Sequence, residues 1–187
     1  MFASSVSGAI SRYSFPAIVL HWSIAVLIIG GFSLGLSMVD LPLSPQKLKW
    51  YSWHKWTGIT VFLLTVLRLM WRLGHPAPAL PQTTPRWQRR AAHVSHFLLY
   101  LLTLVIPISG WLHSSASGVP VVYLGLVPLP DLVAKNKDLA EVLKLVHKTL
   151  NFTLLGLFLA HAGAALKHHL MDRDDVLTRM LPLLKRG

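Results

Sequence analysis

Three long stretches without a charged side chain constrain this chain more than any other feature. They cover residues 13–39, 91–130 and 149–166 of the 187 residues. A membrane-spanning helix needs about 20 largely apolar residues, and stretches of these lengths can provide them. Only 13% of the residues are charged and 53% are hydrophobic, which is too apolar a composition for a soluble domain of this size. The sequence therefore predicts an integral membrane protein.

The apolar runs and the helix-start signals predict four spanning helices in one domain that covers residues 1–187. Their expected limits are about 16–38, 52–73, 93–114 and 138–171. Pro16 is suited to a helix start, and Asp138 with Glu141 forms a capping-box-like D-x-x-E before the fourth helix. Pro107 is expected to bend the third helix without ending it. The predicted fold is an all-α bundle of four transmembrane helices.

The distribution of positive charge predicts the orientation of this bundle. Eleven lysines and arginines, including every arginine, fall on the side of the two termini, and seven lysines fall on the other side. The eleven are Arg12, Arg68, Arg72, Arg86, Arg89, Arg90, Lys167, Arg173, Arg179, Lys185 and Arg186. Because cytoplasmic segments carry the excess of Lys and Arg, both termini are predicted to be cytoplasmic. This topology also accounts for the basic pI, so we expect no nucleic-acid partner.

The opposite, outer side keeps an excess of positive charge of its own. Seven lysines stand there against four acidic residues. The lysines are Lys47, Lys49, Lys55, Lys135, Lys137, Lys144 and Lys148. Contact with membrane lipid headgroups is the simpler interpretation of this charge. The sharper hypothesis is a cationic funnel that concentrates a small anion or an acidic partner.

Four histidines fall inside the predicted helices, where ionisable side chains are costly and usually functional. His147 and His161 are 14 residues apart, so they lie about 21 Å apart along one helix and nearly on one face. His21 lies about 26 Å from the outer end of its helix, at the depth of His161. His54 opens the second helix, at the depth of His147. A lone histidine would be read as a structural residue, but two depth-matched pairs predict two bis-histidine sites.

The chain contains no cysteine, which limits the redox centres it could hold. Iron–sulfur clusters with thiolate ligands, covalently attached haem and disulfides are all excluded. A redox centre would need histidine or another non-sulfur ligand, or methionine, which indicates non-covalently bound haem b. A histidine-based metal transporter that binds zinc is the alternative, and such a protein would be colourless.

Other residues near the four histidines fit the same interpretation. Gly58 lies one turn after His54 and removes bulk where a flat macrocycle would pack, although it could equally be a helix-contact glycine. Arg68 is 14 residues after His54 and could neutralise a haem propionate at the inner depth. His168, seven residues after His161, could contact a propionate, a quinone or solvent. His93, His96 and His113 receive no role.

Four short motifs give the chain a family resemblance. They are LHW at 20–22, H-x-x-x-G at 54–58, H-x-x-H-x-x-x-Y at 93–100 and HAGAALKHH at 161–169. In this order they resemble the bacterial di-haem cytochrome b-561 family over essentially the whole chain. The resemblance implies a multi-pass protein of the bacterial inner membrane with two haem b groups. It also implies that His21, His54, His147 and His161 are the iron ligands.

The resemblance leaves two kinds of electron transfer open. Some members pass electrons from periplasmic superoxide through haem b to ubiquinone, and others are cytochrome b subunits that accept electrons from a hydrogenase or dehydrogenase. Short loops and the outer lysines favour the first, a superoxide:quinone oxidoreductase without an obligate protein partner. Ubiquinone would then bind near the inner pair, with His168 as the candidate hydrogen-bond or proton donor.

Overall fold

Four long helices make up most of the protein. The computed structural model describes residues 12–81 and 83–184, so Lys185 and Arg186 of the charge count lie outside the described residues. The helices are α1 (Phe15–Val39), α2 (Pro45–Gly74), α3 (Arg86–Ala116) and α4 (Lys137–Lys167). Each of them is long and apolar enough to cross a membrane. The predicted all-α bundle of four spanning helices is confirmed.

Two helices begin earlier than their apolar runs suggest. The start of α2 was predicted at 52 from hydropathy, because its first turns carry Lys47 and Lys49. The helix in fact begins at Pro45, and the side chain of Ser44 caps it by accepting a hydrogen bond from the Lys47 N–H at 3.3 Å. Likewise α3 starts at Arg86, in a basic segment, and not near 93. Helix formation continues beyond the apolar part of a span because backbone hydrogen bonds do not depend on hydropathy. The polar turns therefore extend these helices past the predicted limits.

The start of α4 uses a different cap from the predicted one. The side chain of Asn136 accepts a hydrogen bond from the Leu139 N–H at 3.0 Å, so Asn136 is the N-cap and Asp138 lies in the first turn. The predicted capping box, with Asp138 as the N-cap and Glu141 three residues later, is therefore wrong. The helix begins two residues earlier, because asparagine is as good an N-cap as aspartate. Pro107 does not end α3, which continues through it to Ala116 as predicted, and the bend expected at Pro107 stays a prediction.

Neighbouring helices in the chain pack side by side and antiparallel. Close backbone contact joins α1 to α2, α2 to α3 and α3 to α4. Gly31 of α1 lies against Thr57 of α2, and Gly35, further along α1, lies against His54, which is earlier in α2, so the two helices are antiparallel. We call the end with the α1–α2 and α3–α4 connections the outer end, and the opposite end the inner end. Within the described residues, the backbone of α4 makes no comparable contact with α1 or with α2.

The connections add small elements at both ends of the bundle. At the outer end, β1 (Val121–Tyr123) and β2 (Val127–Leu129) form an antiparallel hairpin, which the sequence analysis did not predict. At the inner end, α4 continues into a π-helical turn over His168–Asp172, followed by the short α5 (Val176–Met180). This C-terminal segment is tied to α1, because the indole N–H of Trp22 donates to the Met180 carbonyl at 3.0 Å.

Candidate functional site: two histidine pairs between the helices

The structure brings together the same two histidine pairs that the spacing predicts. At the outer depth, the ring centres of His54 on α2 and His147 on α4 are 6.1 Å apart, with an angle of 83° between the rings. At the inner depth, the ring centres of His21 on α1 and His161 on α4 are also 6.1 Å apart, with an angle of 69°. Each pair therefore joins α4 to a helix with which it shares little backbone contact.

These ring distances can be compared with the geometry of a metal held between two imidazoles. A metal–nitrogen bond of about 2.0–2.1 Å, plus roughly 1.1 Å from each nitrogen to its ring centre, places two opposed rings about 6.2–6.4 Å apart. The observed 6.1 Å in both pairs agrees with this spacing. The distance between ring centres thus leaves room for a metal atom between the histidines of each pair.

The inner pair has a third histidine beside it. The ring centre of His96 on α3 is 5.2 Å from that of His161. This distance is about 1 Å too short for a metal held between opposed rings, by the same bond lengths. The spacing therefore selects His21 as the partner of His161 across a metal and leaves His96 at the edge of the site.

Hydrogen bonds orient both rings of the outer pair. Nδ1 of His54 lies 2.9 Å from the Gly31 carbonyl, and Nδ1 of His147 lies 2.9 Å from the Ser109 hydroxyl and 3.2 Å from the Ile106 carbonyl. A carbonyl can only accept, so Nδ1 of each ring donates and Nε2 keeps its lone pair. Metal-binding histidines use this arrangement, because the second nitrogen's hydrogen bond fixes both tautomer and orientation.

Two glycines allow the helices to approach the outer rings closely. A Cβ atom on Gly110 would lie 2.9 Å from Cε1 of His147, and one on Gly35 would lie 3.2 Å from Cε1 of His54. Gly58, by contrast, has no atom within 4 Å of the position its Cβ would take. It lines a half-open cleft, whose empty space is about 450 Å³ when the part open to the surroundings is counted, and this cleft reaches both rings of the outer pair. Apolar side chains such as Leu27, Phe32 and Leu154 line most of the cleft, which suits a flat hydrophobic macrocycle.

Two arginines lie at the inner depth without an acidic partner. Arg68 donates to the Tyr100 hydroxyl at 2.9 Å and to the Ala17 carbonyl at 2.6 Å, and Arg72 donates to the same hydroxyl at 3.3 Å. Neither forms an ion pair among residues 12–81 and 83–184. Unpaired charge inside a membrane is costly, so a negative group is expected close by. The carboxylates of haem propionates would supply that charge, and Arg68 stands at the predicted depth to bind one.

His168 is held by acidic residues of the C-terminal turn. Its Nδ1 lies 2.6 Å from Oδ2 of Asp174 and 3.4 Å from Oδ2 of Asp172, and its side chain is 15% exposed. Asp172 in turn pairs with Lys167 at 2.6 Å. The structure thus places His168 at the inner end, half-buried, with one ring nitrogen engaged by a carboxylate. Its predicted contact with a quinone or propionate remains a prediction.

Several residues that the structure places at the two pairs were not predicted from the sequence. His96 and Tyr100 were noticed only as parts of H-x-x-H-x-x-x-Y, although their four-residue spacing already puts them on one helix face. Arg72 was counted for topology, but it lies one turn from Arg68. Ser109, inside an uncharged run, carried no signal of its own, because its contact with His147 depends on how α3 packs against α4.

Two histidine pairs between spanning helices, with fixed tautomers and an apolar cleft at the outer pair and unpaired arginines at the inner depth, define a membrane cytochrome of the b type. Comparison with known proteins agrees with this class. The chain belongs to the prokaryotic cytochrome b561 family, whose model matches residues 12–183. It is therefore a multi-pass membrane protein of electron transfer, an oxidoreductase with haem b as its cofactor.

Three relatives have sequences similar to this one. Cytochrome b561 homolog 2 of Escherichia coli strain K12 is 37% identical over 175 residues, which cover 91% of each chain. Cytochrome b561 homolog 1 of the same strain is 31% identical over 189 residues, covering 94% of this chain and 99% of the relative. Probable superoxide oxidase CybB of Yersinia pestis is 34% identical over 185 residues, covering 94% and 98%.

Proposed function

We propose that this protein holds two haem b groups and carries electrons from superoxide at its outer end to ubiquinone in a bacterial inner membrane. His54 and His147 would hold the outer haem, and His21 and His161 the inner haem. The observation that carries the proposal is the equal 6.1 Å ring spacing of both pairs, at two depths of one bundle.

The side chains around the outer pair hold its rings in place. Haem b, when bound, supplies reversible one-electron chemistry, and the protein sets its position and surroundings. Ser109 and the Gly31 carbonyl keep the two outer rings oriented, so both rings would already be in place to hold an iron atom. Since α4 carries one histidine of each pair 14 residues apart, a single rigid helix sets the distance between the two sites.

The charges at the outer end support a small anionic substrate. Superoxide carries one negative charge, and an excess of lysine raises the local concentration of such an anion. Lys47 is engaged as a cap for α1, since its ammonium donates to the Val39 carbonyl at 3.1 Å, and Lys135 packs on Gly118. Lys49, above the Trp53 ring at 4.9 Å, and Lys137, in the first turn of α4, are better placed to act through charge alone. The name of the Yersinia relative agrees with this substrate.

Polar groups at the inner end support a quinone site there. His96, Tyr100 and the two arginines surround the inner pair, and His168 with Asp174 lies at the same end. Reduction of one quinone consumes two electrons from two superoxide ions, releases two molecules of oxygen and takes up two protons. An imidazolium whose Nδ1–H donates to the carboxylate can donate its Nε2–H to a quinone oxygen, pass that proton on and regain one from the cytoplasm. We assign that role to His168, and the neutralisation of a propionate to Arg68.

Spectroscopy and turnover of the purified protein in lipid nanodiscs test this function. We expect two low-spin haems per chain, reduction of both by superoxide, and ubiquinol formation when a soluble ubiquinone analogue is present. His54→Ala should lose the outer haem and the reaction with superoxide, whereas His161→Ala should lose the inner haem and the reaction with quinone. A single haem per chain would overturn the paired arrangement. Two haems that superoxide does not reduce, in a protein that co-purifies with a dehydrogenase, would overturn the substrate.

A further inference from the structure

The α3–α4 connection contains a segment with an unusual composition for a loop. Residues 119–130, here called the outer hairpin, read VPVVYLGLVPLP and include no charged residue. Its apolar side chains are largely unburied by the protein: Val119 is 49% exposed, Leu124 53%, Leu126 81% and Val127 53%. Large contiguous apolar patches on protein surfaces mark contacts with other proteins or with membranes.

The depth of the outer hairpin indicates which of these surroundings it meets. The indole N–H of Trp56 donates to the Val122 carbonyl at 2.7 Å, and the Tyr123 hydroxyl lies 3.0 Å from that of Thr60. Trp56 is two residues beyond His54 along α2, about 3 Å further toward the inner end, and Thr60 is about 9 Å further. The strands therefore lie alongside the outer histidine pair and do not project above the bundle.

The second attachment of the outer hairpin gives the same depth. Trp111 on α3 donates its indole N–H to the Pro130 carbonyl at 3.1 Å. Trp111 follows Gly110, the glycine against which the His147 ring lies. Two helices thus place the hairpin independently at the level of the outer pair, where the spanning helices face lipid.

The backbone chemistry of the outer hairpin suits an environment without water. Unpaired backbone N–H and C=O groups are costly in lipid, so an open strand edge there needs other partners. Prolines at 120, 128 and 130 remove three N–H groups. Side chains of α2 and α3 satisfy three carbonyls, because Lys55 donates to Pro120 at 3.3 Å in addition to the two tryptophan bonds.

We propose that the outer hairpin is a re-entrant membrane element whose exposed side chains contact the acyl chains of the outer leaflet. We assign lipid as the surroundings of its exposed side chains, because the segment is uncharged, lies at the depth of the spanning helices and has three N–H groups removed and three carbonyls satisfied by side chains. It inserts Leu124 and Leu126 into the outer margin of the hydrocarbon and fixes the outer end of α2 and α3 at one depth.

Site-directed spin labelling in liposomes tests this placement, and the absence of native cysteine permits single labels. A nitroxide is attached to Leu126→Cys, to Leu63→Cys on the exposed face of α2, and to Ala134→Cys in the same connection beyond the hairpin. The frequency at which the nitroxide collides with oxygen, which concentrates in lipid, is compared with the frequency at which it collides with a water-soluble nickel chelate. We expect the oxygen-to-nickel ratio at Leu126 to lie below that at Leu63, which is about 13.5 Å deeper than His54 along α2, and to exceed that at Ala134 several-fold.

The haem spectrum of each labelled protein serves as the control for folding. A ratio at Leu126 equal to that at Ala134, in protein with the native spectrum, would overturn the proposal and place the hairpin in water. If Leu126→Cys does not fold, Leu124→Cys carries the same test, because its side chain is also more than half exposed. The measurement does not depend on the electron donor or acceptor of the protein.

Discussion

Gly110 offers a sharp test of the outer site, because a single methyl group at this position meets a proposed iron ligand. An alanine Cβ there would lie 2.9 Å from Cε1 of His147, whereas ordinary contacts begin at 3.4 Å. The ring or the helix must therefore move by 0.5 Å. Ser109, the residue before Gly110 on α3, is hydrogen-bonded to the same ring at 2.9 Å and limits how far the ring can move.

The expected size of the effect follows from this displacement. A shift of 0.5 Å is a quarter of a metal–nitrogen bond of about 2.0 Å, and overpacking of this kind costs about 1–3 kcal/mol. We therefore expect Gly110→Ala to weaken binding of the outer haem by about 5- to 150-fold, since about 1.4 kcal/mol corresponds to a factor of ten. The α3 helix itself should not be weakened, because alanine is favoured over glycine in a helix by about 0.8–1.0 kcal/mol.

The assay measures haem content together with the spin state of the bound iron. Gly110→Ala should retain less than the full haem complement, or show a partial change of one haem from low to high spin, while the second haem stays native. Gly156→Ala is the matched control, because Gly156 lies on α4, on the face opposite His147, and its Cβ would meet nothing within 4 Å. Two fully bound low-spin haems with native potentials in Gly110→Ala would refute the assigned position of the His147 ring.

Three further variants test other parts of the arrangement. Ser109→Ala removes the hydroxyl bond to His147 and should shift the midpoint potential of the outer haem in a redox titration while leaving the inner haem unchanged, and an unshifted potential would count against this hydrogen bond. Lys49→Gln combined with Lys137→Gln should slow haem reduction by superoxide. The difference in rate from wild type should shrink as salt rises toward about 0.15 M, where charges more than about 8 Å apart are screened. A rate unaffected by both the substitutions and the salt would show that these lysines do not attract superoxide. His168→Phe should keep both haems and their reduction by superoxide yet slow reoxidation by a ubiquinone analogue, so full turnover in this variant would place the quinone elsewhere.

The class of protein and the depth of its histidines are properties that the sequence determined alone. Membrane insertion requires long uncharged runs, and these are visible without any tertiary information. The 14-residue interval between His147 and His161 sets their separation because helix geometry is nearly constant. For the same reason His21 and His54 could be assigned to the correct depths, and the structure brings both pairs together.

Contacts between distant segments were decided only by the tertiary structure. His21 and His96 both lie near His161, and only the distances of 6.1 and 5.2 Å make His21 the proposed partner across a metal. The pairing of His168 with Asp174 depends on the π-helical turn after α4, and the outer hairpin depends on donors supplied by α2 and α3. Such contacts join residues whose own sequence patterns carry no trace of the partner, because hydropathy and helical periodicity describe one segment at a time.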